Sequence, residues 1–253
     1  MRIAITRRVS PRIGQCELTH LPRRPIDFAR ASAQHLAYEE CLAALGCEVH
    51  SLPAEPDLPD SVFVEDVAVV LDALAILTRP GAESRRAETA AVEQALAPHR
   101  ELRRIEPPAT LDGGDVLCVG RKVFVGLSAR SNQAAVEQMR ALLAPHGYVV
   151  QGVPFGGCLH LKSAVTEVGE RTLLLNPAWV DARLFAGMEC IEVAPEEPFA
   201  ANALRIGETV VFPSAYPATL RRLEARGICV TTIDASELAK AEGGLTCCSL
   251  VFE

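Results

Sequence analysis

The segment "GGLTCCSLVFE", residues 243–253, places two glycines before the vicinal cysteines Cys247 and Cys248 and then runs into a short apolar strand. Chain ends usually fray and tolerate change. A thiol pair on such a strand must either pack a core or be held for chemistry. The choice turns on whether this strand has partners elsewhere in the chain.

A repeat supplies them. The unit is an apolar strand with polar residues at its start, a second apolar strand, a helix and a short third strand. One copy reads "SVFVEDVAVV", "ALAILTRPG", "AESRRAETAAVEQALAPH" and "ELRRI". Another reads "ATLDGGDVLCVG", "KVFVGLSAR", "SNQAAVEQMRALLAPHG" and "YVVQGV". A third runs "CLHLKSAVTEV", "RTLLLNP", a short helix near residues 180–185 and "ECIEV"; a fourth runs "FAANALRIG", "TVVFPSAYP", "ATLRRLEARG" and "CVTTI". The segment "GLTCCSLVF" is a fifth first strand whose missing parts lie at the other end of the chain, in "RIAITR", "DFARASAQHLAYEECLAALG" and "CEVHSL". The expected fold is a single α/β domain over residues 1–253, a five-bladed α/β propeller of ββαβ units closed by pairing of the first and last strands. Closure removes exposed sheet edges. An open α/β sheet of alternating units is the competing architecture.

Composition narrows the function. Hydrophobic residues make up 49% of the chain and charged residues 23%, enough apolar material for a substantial core. No apolar run approaches the ~18 residues of a membrane span. The opening "MRIAITRRVSPRIG" does not read as a secretory signal. Nine cysteines without regular spacing or a CxxC pair argue against a disulfide scaffold or zinc ribbon and for a reducing cytoplasm. Net charge is −7, and the only lysines, Lys122, Lys162 and Lys240, are dispersed, so nucleic acid is a poor partner. The acidic residues within "LPDSVFVEDVAVV" hint at a cationic ligand.

If the five first strands line one channel, their polar residues meet there: Asp60, Glu65 and Asp66; Asp112 and Asp115; His160 and Lys162; Asn202; and Cys247 or Cys248. Nucleophilic thiol catalysis needs a cysteine, an acid/base and a group to orient that base. Each residue alone has a plainer reading. A buried cysteine is more often core, His160 could be a satisfied core histidine, and Asp112 in "TLDGGDVL" could be turn chemistry. Brought into one channel, the three support one another. Neighbouring strand residues face opposite ways, so only one of the two cysteines can enter.

The motifs "LPDSVFVEDVAVV", "LTRPGAESRR", "TLDGGDVL", "VGLSARSNQ", "LHLKS" and "GGLTCCS", in this order over nearly the whole chain, resemble the dimethylargininases of the guanidine-modifying pentein superfamily. The resemblance implies hydrolysis of Nω-methylated arginines to citrulline and a methylamine, with no metal or organic cofactor. It makes Cys247 the nucleophile, through the pattern GGxxC, with His160 as acid and base. Asp112 orients His160, a role the family often gives to the longer glutamate. It assigns guanidinium contacts to Glu65 and Asp66, and the α-carboxylate to Arg85 and Arg130. Asp60 and the backbone carbonyls of Leu18 and Ala241 receive the α-amino group, position 241 usually being larger in the family. The loop around Leu18 could be a lid. Lys162 stands where arginine deiminases and amidinotransferases usually carry an acid, which leaves room for a methylated nitrogen. The competing functions are hydrolysis of another guanidine, such as arginine or agmatine, and a non-catalytic propeller that binds a macromolecule. A homodimer stays open as an assembly.

Overall fold

The computed structural model describes residues 1–253. The chain begins with β1 (Arg2–Arg7), α1 (Phe28–Ala44) and β2 (Cys47–Leu52). It continues through β3 (Ala68–Val70), β4 (Ala75–Leu77), α2 (Thr89–Leu96) and β5 (Leu102–Arg104), then β6 (Val116–Val119), β7 (Lys122–Leu127), α3 (Gln133–Leu143) and β8 (Val149–Pro154). Next come α4 (Leu161–Ala164), β9 (Val165–Gly169), β10 (Thr172–Leu175) and β11 (Glu189–Glu192). The last elements are β12 (Leu204–Ile206), β13 (Thr209–Pro213), α5 (Pro217–Glu224), β14 (Cys229–Ile233), α6 (Ser236–Ala239) and β15 (Leu250–Phe252).

These strands form five three-stranded sheets, the blades of an α/β propeller. In each, the inner strand pairs antiparallel with the middle one, and the middle strand pairs parallel with the outer one. A parallel neighbour requires a crossover, which the helices provide. The ring closes where β15 pairs antiparallel with β1, Ile3 opposite Phe252 and Ile5 opposite Leu250. The segment quoted at the outset is therefore an inner strand of a blade begun by the first residues.

Local chemistry sets the element ends. Asp27 caps α1 by accepting the Arg30 N–H at 3.0 Å, and Asn132 caps α3 by accepting the Ala135 N–H at 3.1 Å. The middle strands read as continuous apolar runs because both of their faces are covered, and Ala75–Leu77 and Leu173–Leu175 are fully buried.

The polar starts of the expected first strands are not strand. Val64–Val67, Gly113–Asp115 and Thr246–Cys248 form single 3₁₀ turns and α4 a single α turn, each leading directly into or up to its inner strand. A period near three cannot be distinguished from a period of two over three or four residues, so sequence pattern merges turn with strand. The rest of the repeat stands, with one shift: residues 83–88, expected in the helix, form a 3₁₀ segment before α2.

Candidate active site

The four turns pack against one another beside a small chamber, into which they bring Asp66 and Cys247, with His160 entering it from the position just before α4. Asp60, Asp66, Arg85, Arg130, His160, Ala241 and Cys247 line it, with Glu17, Phe63, Leu159, Glu242 and Gly243 completing the wall. Its free volume is about 10 Å³, room for roughly one water.

His160 sits immediately before α4 with an extended backbone and is 3% exposed. Its Nε2 lies 3.1 Å from Asp112 Oδ2 and its Nδ1 3.6 Å from Asp66 Oδ1. The short acid at 112 therefore reaches the ring. Asp112 is itself held, its Oδ1 accepting the Gly81 N–H at 2.8 Å and its own N–H donating to Ser131 Oγ at 3.0 Å. Gly114 makes this packing possible: a Cβ there would lie 2.6 Å from His160 Nδ1 and 2.7 Å from Asp66 Oδ1. Burial works against a charged imidazole, but Asp66, Asp112 and Asp115 outweigh it and raise the His160 pKa to about 9. At neutral pH the ring is an imidazolium.

Cys247 faces the chamber and its Sγ accepts the Gly244 N–H at 3.3 Å. Burial first, and then the negative Glu65 and Asp66, push this thiol up to about 12. Cys248 does not line the chamber; its Sγ approaches the Gly244 carbonyl at 3.5 Å, and both cysteines back onto the core cluster that contains Tyr38 and Leu42. Successive residues of a 3₁₀ turn project about 120° apart. One cysteine enters and the other packs, although the reason is a turn rather than the alternation of a strand.

The charged groups are tightly paired at one end. Arg85 is buried, donating from Nη1 to Asp66 Oδ2 at 2.6 Å and from Nη2 to Glu88 Oε2 at 2.9 Å. Its Nη2 also meets the Asp60 and Phe63 carbonyls at 3.3 Å. Although burial opposes it, Asp66 is held down to about 2 by His160, Arg85 and the Gly114 N–H. Arg130 contrasts with Arg85: its Nη1 is buried without a hydrogen-bond partner, 3.6 Å from Asp112 Oδ2. Asp60 accepts the Glu17 N–H at 3.1 Å.

Two expected site residues stand elsewhere. Glu65 does not line the chamber; its oxygens are taken by Lys162 Nζ at 2.5 Å and Thr246 Oγ1 at 2.7 Å, and it borders a funnel of about 590 Å³ lined largely by inner strands. Leu18 belongs to the segment over the chamber without lining it, while Ala241 does line it. Asp115 and Asn202 serve the scaffold. Asp115 accepts the Leu161 N–H at 2.9 Å and the Ser128 hydroxyl at 2.7 Å, and Asn202 ties Lys162 O to Thr246. Glu88, Glu17 and Glu242 are additions to the sequence reading. Glu88 has a legible signal, an acid three residues after an arginine on a helical turn; the other two have none. Asp66, Asp112 and His160 bring potential ligand atoms within 4.8 Å of one another, but the His160 proton and the Arg85 guanidinium compete with a metal ion for them.

A buried thiol, an imidazolium held by carboxylates and two buried arginines in one small chamber, on a five-bladed α/β propeller, match the class of hydrolases that act on cationic guanidines. A sequence model described as N,N dimethylarginine dimethylhydrolase, eukaryotic, matches residues 23–250. The N(G),N(G)-dimethylarginine dimethylaminohydrolase of Streptomyces coelicolor is 41% identical over 98% of this chain and 95% of its own. That of Pseudomonas aeruginosa is 38% identical over 89% of this chain and 90% of its own. A mutant of the Pseudomonas protein complexed with citrulline superposes with a TM-score of 0.93 at 35% identity, covering 98% of both chains. The N-terminal domain of the cyanobacterial arginine dihydrolase ArgZ, 17% identical with a TM-score of 0.87 over 99% of this chain and 98% of its own, shares the fold. The chain belongs to the dimethylarginine dimethylaminohydrolase family.

Proposed function

We propose that residues 1–253 act as one catalytic unit that hydrolyses Nω-methylated arginines to citrulline and methylamine or dimethylamine in a reducing cytoplasm, the nine cysteines being unpaired. The observation that carries this reading is the gathering, within one chamber, of Cys247, His160, Asp66 and an Arg130 whose Nη1 makes no hydrogen bond. The guanidinium pairs with Asp66, the α-ammonium with Asp60 and the Leu18 and Ala241 carbonyls, and the α-carboxylate with Arg130 and the remaining Nη1 hydrogen of Arg85. Glu65 acts on the guanidinium from the floor, behind Thr246.

The chemistry follows from the two protonation states. An arriving guanidinium offsets the negative field of Asp66, and the Cys247 proton passes to water leaving the chamber. The thiolate attacks the guanidinium carbon and forms a C–S bond. His160 gives its proton to the departing nitrogen, the C–N bond breaks, and a neutral amine leaves a cationic thiouronium on Cys247. The now neutral His160 takes a proton from water as that water adds to the same carbon. The C–S bond then breaks, releasing citrulline and restoring the thiol side chain. Asp112 holds the ring through both transfers. The scheme uses no metal or cofactor.

Methyl groups on the reacting nitrogen would be costly beside a second carboxylate. Here Lys162 points to Glu65, and the apolar part of the chamber wall beside Cys247 is Phe63, Leu159 and Ala241. The test is product formation from asymmetric and symmetric dimethylarginine, monomethylarginine, arginine and agmatine. Asymmetric dimethylarginine and monomethylarginine should be turned over with comparable efficiency and arginine far less well. Arginine as best substrate would make the chain a small arginine deiminase, and citrulline from none of them would favour the binding propeller.

A further inference from the structure

The chamber's free volume of about 10 Å³ cannot hold a methylarginine, so substrate must displace part of its wall; residues 17–21, a segment without regular secondary structure that contributes Glu17 to the lining, form its roof. The roof is tied down at several points. The Glu17 N–H donates to Asp60 at 3.1 Å, Arg130 Nη2 reaches Thr19 Oγ1 at 3.4 Å, and on the surface Ser84 Oγ donates to Glu17 Oε1 at 2.7 Å. The densest tie is Glu242, whose carboxylate accepts three successive backbone N–H groups, those of Thr19 at 2.9 Å and of His20 and Leu21 at 2.5 Å. Glu242 reaches them from a left-handed backbone, φ 58°, which a residue with a Cβ adopts only when its surroundings hold it there.

We propose that Glu242 is the positioning residue that keeps the roof shut over bound substrate. The inference rests on the proposed function for one step. Asp60 and Arg130 are the groups assigned to the α-ammonium and α-carboxylate, so an amino-acid substrate competes for two of the roof's ties as it binds. It makes no claim on Glu242. Closure in the complex therefore falls to this carboxylate, with Ser84 as a lesser surface contact. The same clamp joins the residue after Leu18 to the residue after Ala241, and so sets the spacing of the two carbonyls that face the α-ammonium. Glu242 touches no reacting atom, and its effect is on how the amino-acid end is held.

The test compares wild type with Glu242→Gln, which keeps an uncharged acceptor, and Glu242→Gly, which removes the carboxylate while suiting the positive φ. In substrate-free protein, amide hydrogen exchange at Thr19, His20 and Leu21 should speed up about tenfold or more in Glu242→Gly, with core amides of β7 and β10 unchanged. KM for asymmetric dimethylarginine should rise about tenfold or more while kcat changes less, with Glu242→Gln between the two. Inactivation of Cys247 by 2-chloroacetamidine, an amidine without an amino-acid end, should be as fast or faster. Unchanged exchange at the three roof amides overturns the proposal, as does a loss confined to kcat or a parallel loss of amidine reactivity. The exchange result decides the clamp even if wild type yields no citrulline, an outcome that would sink the proposed function separately.

Discussion

His160 and Cys247 face one chamber without a hydrogen bond between them: the imidazole is taken by Asp112 at 3.1 Å, and the thiol accepts the Gly244 N–H at 3.3 Å. They do not rest as a thiolate–imidazolium pair. Burial, and after it the surrounding carboxylates, oppose a thiolate, while the carboxylates stabilise the imidazolium, so each group waits in its protonated form until a cation changes the balance.

This arrangement predicts a pH profile. Activity of free enzyme requires the thiolate of a group at about 12 and the imidazolium of a group at about 9. The thiolate fraction grows tenfold per pH unit while His160 stays protonated, so kcat/KM should rise with unit slope from pH 6 to about 9. Above that, loss of the His160 proton cancels the gain and the profile should level. Alkylation of Cys247 by iodoacetamide should rise over the same range. A flat profile from pH 6 to 8 would mean a resting thiolate.

The same shift acts on stability. His160 has its proton held to about 9 in the folded chain against an ordinary 6.5. Its stabilising contribution is fully present below about pH 6.5 and is lost as pH rises through 9. Urea unfolding of wild type should weaken across that window, and His160→Gly should lack this component.

The two cysteines should separate cleanly. Cys247→Ser should lose activity by orders of magnitude and keep its stability, since it removes the proposed nucleophile from a small chamber. Cys248→Ala should keep most activity and lose about 1 kcal/mol of stability through packing. A folded, inactive Cys248→Ala beside an active Cys247→Ser would reverse the assignment.

The two arginines should differ in kind. Arg85 is buried against Asp66 and Glu88, and Glu88 is pushed up by burial to about 7 despite that partner. Removing the cation strands two carboxylates, so Arg85→Met should cost about 3–5 kcal/mol of stability as well as activity. Arg130 Nη1 has no hydrogen-bond partner, and the ties of this guanidinium to Asp112 at 3.6 Å and Thr19 at 3.4 Å are long. Arg130→Met should leave the unfolding midpoint near wild type and raise KM at least about tenfold, through loss of the carboxylate contact. Equal destabilisation by both substitutions would contradict the distinction.

The blades were legible because strand and helix periods repeat, and β15 could be assigned to β1 only through the repeat. What the pattern could not separate were the one-turn segments that carry Asp66, Asp115 and Cys247, since a single turn has no period of its own. Residue type and motif nominated Cys247, His160 and Asp112, but not their protonation, which depends on how many carboxylates burial gathers around them. Glu65 does not line the chamber although Asp66 does, because the two are adjacent in a turn that directs Glu65 to Lys162 and Thr246 and Asp66 to Arg85 and His160. Glu242 was invisible, since its partners are backbone N–H groups more than 200 residues away.

The most direct test of the central claim uses His160→Gly and an arginine analogue whose leaving group is methanethiol in place of an amine. Such a group departs without acid, so attack by Cys247 can proceed, while the step that needs His160 to deprotonate water is disabled. Mass spectrometry of the digested protein should show the adduct accumulating on the peptide that contains Cys247 and Cys248, and its fragmentation should place it on Cys247. With asymmetric dimethylarginine, whose amine must be protonated to leave, the variant should bind substrate but form little adduct and little citrulline. An adduct on Cys248, or steady release of citrulline from asymmetric dimethylarginine at the wild-type rate, would contradict the roles assigned to both residues.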